Sequence, residues 1–181
     1  MFDVIYNGSD KELEQTIDLN SFAALYLVNE ICNNYDCVGR SIYFYYNSKD
    51  KKIHAGPIWD MDTTMGMEPD GMKKDFKKEE IEGWQVREKQ WYKALYRHEN
   101  FRKKVNDIYK KKNVEKIMDG FLNDFIALTE KYELEGTLDY ILRSSDRQYE
   151  NCSSKSYKEE CEYVINYQKK RNEWIKNNFL N

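Results

Sequence analysis

The spacing of apolar positions divides the chain into three parts. In the first part, residues 1–9 are short and end in the turn signal Asn7-Gly8-Ser9. Ser9 or Asp10 is a suitable cap for a short helix ending near Ile17. The next apolar set, Phe22, Leu25, Leu27, Val28, Ile31 and Cys32, wraps more than one face of a helix starting at Asn20 or Ser21. A helix apolar on several faces is buried at the centre of its domain. Asn33 and Asn34 end it, because asparagine tolerates the left-handed conformation.

In the second part the helical spacing gives way to a hairpin pattern. Ile42–Tyr46 is an aromatic and β-branched run, Asn47–Lys52 is a polar turn, and Ile53–Ile58 is the returning strand. Residues 63–83 then carry the loop signals Glu68-Pro69-Asp70-Gly71 and Gly83, with the basic run Lys73–Lys78 between them.

In the third part, helical spacing returns at Glu88 and runs to the end, with a break at His98-Glu99-Asn100. Val114, Ile117, Met118, Phe121, Leu122, Phe125 and Ile126 recur at three and four residues for four turns, a strong amphipathic signal. Leu138, Ile141 and Leu142 mark another helix, and Tyr157 to Ile175 the last. The predicted fold is mainly α with one β-hairpin, in a single domain over 1–181 whose residues 88–179 form a helical bundle. The predicted core includes Phe22, Leu25, Val28, Val114, Ile117, Phe121 and Phe125.

The hairpin gives the carboxylates around it a meaning. Asp36 precedes its first strand, while Asp60 and Asp62 follow its second, so its two feet bring residues distant in sequence to one corner. Asp60 lies behind the apolar run Pro57-Ile58-Trp59, where a carboxylate must be paired, hydrogen-bonded or bound to metal. Asp62, two residues on, faces the same side of an extended chain. Ser41 adds a hydroxyl at the mouth of the first strand. Phosphoryl transfer uses such a set: a carboxylate to orient the attacking hydroxyl, and oxygen ligands to hold a metal on the phosphates. Asp36 is then the base, and Asp60, Ser41 and Asp62 the metal ligands. The duller alternatives are a turn aspartate at 36, a strand-edge serine at 41 and a capping aspartate at 62.

Composition narrows the choice. The 181 residues carry 29 Lys plus Arg against 32 Asp plus Glu, a net charge of −3, which gives no support for nucleic-acid binding. The longest apolar run, Phe22–Val28, is far too short to span a membrane, and residues 1–10 lack the basic start and apolar stretch of a signal peptide. Four cysteines permit a Cys152–Cys161 disulfide in an exported protein, and a Cys32–Cys37 pair is open in the same way. A zinc site at Cys32, Cys37 and His54 lacks a fourth ligand, and burial of Cys32 in the core is the preferred reading. Neither His54 nor His98 has a Ser or Cys partner at a spacing that supports nucleophilic catalysis. A two-carboxylate glycosidase would need Asp36 and Asp60 to flank an open groove.

The wording GPIWDMD at Gly56–Asp62, with D-x-N-S-F at Asp18–Phe22, S-I-Y-F-Y at Ser41–Tyr45 and N-x-x-x-N-x-D over Glu30–Asp36, resembles the CotH kinase family of spore-coat-type atypical protein kinases. The last motif departs at its first position, which is Glu30. The resemblance runs from about Leu13 to the final helix, and its specific part is Asp18–Gly66. It implies the helical C-terminal lobe of a kinase-like fold, with residues 18–66 as the catalytic and metal-binding segment. It also implies Mg²⁺ or Mn²⁺ with ATP, a Ser/Thr protein substrate, and a spore-coat or cell-surface location. Where protein kinases have asparagine five residues after the base, this chain has Ser41. No G-x-G-x-x-G and no P-loop occurs, so the lobe that grips ATP is missing. The expectation is a C-terminal fragment of a larger protein, inactive alone; the rival is a non-catalytic scaffold derived from a kinase lobe.

Overall fold

A computed structural model describes residues 1–34, 36–66, 81–142 and 156–179. Among the described residues the elements are α1 (Phe2–Asn7), α2 (Asp10–Thr16), α3 (Leu19–Ile31), β1 (Phe44–Asn47), β2 (Lys52–Ala55), α4 (Gln90–Leu95), α5 (Glu99–Lys111), α6 (Val114–Lys131), α7 (Glu133–Leu142) and α8 (Tyr157–Asn178). The chain is mainly helical with one antiparallel hairpin, as its apolar spacing predicts. Residues 68–71 and 73–78, singled out as loop and basic run, lie outside the described residues, as does Cys152 of the proposed Cys152–Cys161 pair.

α3 is the central helix, and the reason is in its sequence. Leu19, Phe22, Ala23, Leu25, Tyr26 and Leu27 are buried, and the polar Asn29 and Glu30 are buried with them. α5, α8 and β2 pack around it. The aromatic core joins Phe22 to Phe44 (rings stacked, centroids 5.5 Å apart), Tyr26 to Tyr92 (5.7 Å) and Phe44 to Trp91 (5.8 Å). α8 closes the other side through Ile175 and Phe179, whose ring stacks on Tyr109 at 3.8 Å.

Residues 2–7 form a helix, α1, six residues long and burying only Ile5, too short a run to show a helical period. Two sequence expectations need correction. The second strand ends at Ala55, and Pro57, Ile58 and Trp59 follow it exposed rather than as a buried strand. On α6 the inward residues are Val114, Met118 and Leu122, while Ile117 is 56% and Phe121 44% exposed, and Val28 and Phe125 are half-buried. That helix is apolar on two adjacent faces, and packing against α8 and α5 takes only one of them. Cys32 and Cys37 are buried free thiols that burial pushes up to about 12, as core cysteines rather than metal ligands would be.

Candidate functional site

The hairpin is held against α3 by the residues of the D-x-N-S-F stretch. Asp18 caps α3 by accepting the Ser21 N–H at 2.7 Å, and its own N–H donates to the Ile53 carbonyl at 2.9 Å. The Ser21 hydroxyl oxygen accepts the Ala55 N–H at 3.1 Å, and Phe22 stacks on Phe44. Capping, hairpin docking and core packing thus fall to three neighbouring residues, and they fix both feet of the hairpin relative to the end of α3. The register pairs Phe44 with Ala55 and Asn47 with Lys52, and the Gly56 N–H to Tyr43 carbonyl bond (2.9 Å) carries the pairing one step toward the feet.

At the first foot, α3 ends with Asn33 in the left-handed region (φ 52°), and Asp36 lies in the following turn, half-buried. Its backbone carbonyl accepts the Arg40 N–H at 3.2 Å, closing the turn that leads to Ser41. At the second foot, Asp60 also has positive φ (56°), as does Ser41 (50°). Non-glycine residues held in this region are costly and recur where a site dictates the backbone. The Ser41 hydroxyl donates to Asp60 Oδ2 at 2.7 Å across the two feet. A second tie joins them: the Asn34 carboxamide donates to Met61 Sδ at 3.4 Å. Met61 lies between Asp60 and Asp62, and Asn34 two residues before Asp36. Asp60 and Asp62 are exposed, so the argument that burial forces Asp60 to be paired does not apply; its bond to Ser41 is a surface bond.

The second foot is pinned further along. The Met65 N–H donates to the Cys32 carbonyl at 2.8 Å, and the Tyr163 hydroxyl donates to the Gly66 carbonyl at 3.1 Å. Gly66 has φ +84°, and a Cβ there would come within 2.6 Å of the Tyr167 ring, so no other residue fits between this turn and α8.

Glu30 explains its own departure from the N-x-x-x-N-x-D wording. Its carboxylate is fully buried and accepts N–H bonds from Gln85, Val86 and Arg87 at 2.7 to 3.2 Å. Arg171 of α8, also fully buried, donates to Glu30 Oε1 at 2.9 Å and to the carbonyls of Ile81 and Gly83 at 2.6 and 2.8 Å. This pair anchors residues 81–87 beneath the site. Nothing local in the sequence announces it, since its partners stand 55 to 141 positions away.

The donors near the second foot, Ser41, Asp60 and Asp62, are all oxygen. That chemistry suits a hard cation, which is bound by one or two carboxylates and keeps water or substrate phosphate for its other ligands. Among the described residues, no cluster of three or more His, Cys, Asp or Glu is gathered for a metal.

The family model described as CotH kinase protein matches residues 6–175. This chain belongs to the CotH kinase family. No curated protein matches the sequence. The match extends into α8, as far as residue 175, and so takes in Arg171 and the two tyrosines beside the Gly66 turn. No helix among the described residues is long and apolar enough to cross a membrane.

Proposed function

We propose that Asp36, Ser41, Asp60 and Asp62 form the phosphoryl-transfer site of an atypical protein kinase, acting on Ser or Thr hydroxyls of coat or surface proteins. The observation that carries this reading is the 2.7 Å bond from Ser41 to Asp60, which joins the foot that bears the base to the foot that bears the metal ligands. Asp36, half-buried, orients the attacking hydroxyl and takes up its proton. Ser41 fixes the Asp60 carboxylate, leaving Oδ1 for an ion. Asp62 offers a second carboxylate two residues on. Mg²⁺ or Mn²⁺, when bound with ATP, would neutralise charge on the transferring phosphoryl group.

The sequence has no glycine-rich turn over the phosphates and no P-loop. We therefore take residues 1–181 to be the helical lobe of a larger kinase. Alone, it should bind Mg·ATP weakly and give no turnover, because neither foot fixes the adenosine or the outer phosphate oxygens. The test is transfer of labelled phosphate from ATP to a Ser-containing acceptor, run on residues 1–181 and on the same residues joined to their nucleotide-gripping lobe. Transfer only by the joined protein supports the reading. Robust transfer by residues 1–181 alone contradicts the fragment assignment.

A second reading, a non-catalytic interaction module, draws on the exposed aromatics in and after the hairpin. Tyr43, Tyr45, Tyr46, Ile58 and Trp59 are all exposed, with Tyr43 and Trp59 edge to face at 6.1 Å. Exposed aromatics in one region mark contact surfaces. In the protein joined to its nucleotide-gripping lobe, divalent-ion uptake with nucleotide that Asp60→Asn abolishes favours the kinase; no uptake by that joined protein favours the scaffold.

A further inference from the structure

We propose that Asn34 is the positioning residue of this site, tying the Asp36 foot to the Asp60–Asp62 foot through its carboxamide. The inference rests on the kinase reading for its meaning, though its geometry stands independently. Asn34 is buried, and every hydrogen-bonding atom of its side chain is used. Its Oδ1 accepts the Asp36 N–H at 3.0 Å. Its Nδ2 donates to Asn29 Oδ1 at 2.8 Å and to Met61 Sδ at 3.4 Å. The Asp36 N–H can only donate, which fixes the orientation of the amide and leaves both Nδ2 hydrogens for acceptors.

These bonds lead into the core. Asn29 donates through its own Nδ2 to the Tyr92 hydroxyl at 3.4 Å, and burial pushes the Tyr92 phenol up, so it remains neutral. The Asn34 N–H donates to the Asn29 carbonyl at 2.9 Å, so the backbone around Asn34 is fixed as well. The Asp36 loop is thus tied on one side to the rigid α3–α4 core and on the other to the residue between the two proposed metal ligands. Only a short carboxamide does this. Aspartate has no donor for Asn29 or Met61, serine has one hydrogen, and glutamine is a methylene too long. The Ser41–Asp60 bond is exposed and competes with water, whereas the Asn34 ties are part-buried at Asp36 and Met61 and buried at Asn29, so Asn34 adds a less solvated link between base and metal ligands.

The test uses amide NMR of the 181-residue chain, with Mn²⁺ alone as the paramagnetic probe and two variants that cut the tie from opposite sides. Asn34→Ala removes all three side-chain bonds. Met61→Leu keeps volume and removes only the sulfur acceptor, which leaves the fold intact if Asn34→Ala does not. Without metal, Met61→Leu should shift the Asp36 amide resonance, and Asn34→Ala should make that amide exchange about fivefold faster, the loss expected for one hydrogen bond. With Mn²⁺, both variants should weaken the broadening at Asp36 relative to that at Asp60, while the titration midpoint at Asp60 stays put; a general loss of structure would move both. An Asp36 resonance unmoved by Met61→Leu and unprotected in the wild type would overturn the proposal. If Mn²⁺ broadens neither foot of the wild type, the metal reading of Asp60 fails, and the metal-free arm still decides the role of Asn34.

Discussion

At the scale of single residues, the site depends on side chains whose partners are far away in sequence. Glu30 and Arg171 are the clearest case: both are fully buried and each satisfies several groups besides the other. Removing one member leaves a buried charge uncompensated, so Glu30→Ala should cost about 3–5 kcal/mol in urea unfolding. A loss under about 1 kcal/mol would show that water reaches Arg171. Asp10 gives a test by pH. Burial works to raise its carboxyl, but hydrogen bonds from His98 (2.8 Å) and the Asn100 N–H (3.1 Å) outweigh it and hold the group below the usual carboxylate range. A lowered folded-state value means stability that is present above the unfolded carboxylate value, near 4, and is lost as pH falls through the folded one. The urea midpoint should therefore fall on acidification below about pH 4, and Asp10→Asn should flatten that fall. An equally steep fall in the variant would remove Asp10 from the effect.

At the scale of elements, what the sequence told and what it concealed have physical reasons. The hairpin, α3 and the long helices were legible because each has a period of its own and a recognisable end, such as the Ser9 capping box or the left-handed Asn33. The sequence pattern places Asp36 and Asp60 at one corner of the hairpin; the contact found across the feet is that of Ser41 with Asp60. Glu30, Asn34 and Gly66 act through contacts with α8, the turn before α4 and the second foot, and no local pattern encodes those. α6 misled because periodicity shows that a face is apolar but not which of two apolar faces meets a neighbour. The consequence is measurable. Met118→Ala, on the inward face, should cost about 2–5 kcal/mol in urea unfolding, and Phe121→Ala clearly less, despite its larger side chain. The reverse order would mean that α6 is rotated toward its other face. The remaining apolar side of this region, with Leu134, Leu138, Ile141 and Leu142 of α7 exposed, has no covering element among the described residues.

At the scale of the whole molecule, a CotH family chain sets a helical body around α3 and mounts the hairpin on one side of it. The capping residues of α3 hold the hairpin, and the buried Glu30–Arg171 pair holds the segment that returns from the loop. Both supports are built from hydrogen-bonded side chains, as the proposed site, working mostly by positioning, requires. On the reading proposed above, the chemistry of Asp36 and Asp60 needs a lobe that grips ATP, and neither a G-x-G-x-x-G nor a P-loop occurs in this sequence. The most direct measurement is the rate of phosphate transfer from labelled Mg·ATP to a Ser-containing acceptor by residues 1–181 joined to the nucleotide-gripping lobe, compared with its Asp36→Asn and Asp60→Asn variants. Loss of a positioned base removes about 10²–10⁴-fold in rate, and both variants are expected to fall by that order while their urea midpoints stay at the wild-type value. An Asp36→Asn protein that transfers phosphate at the full rate would contradict the assignment of Asp36 as the base.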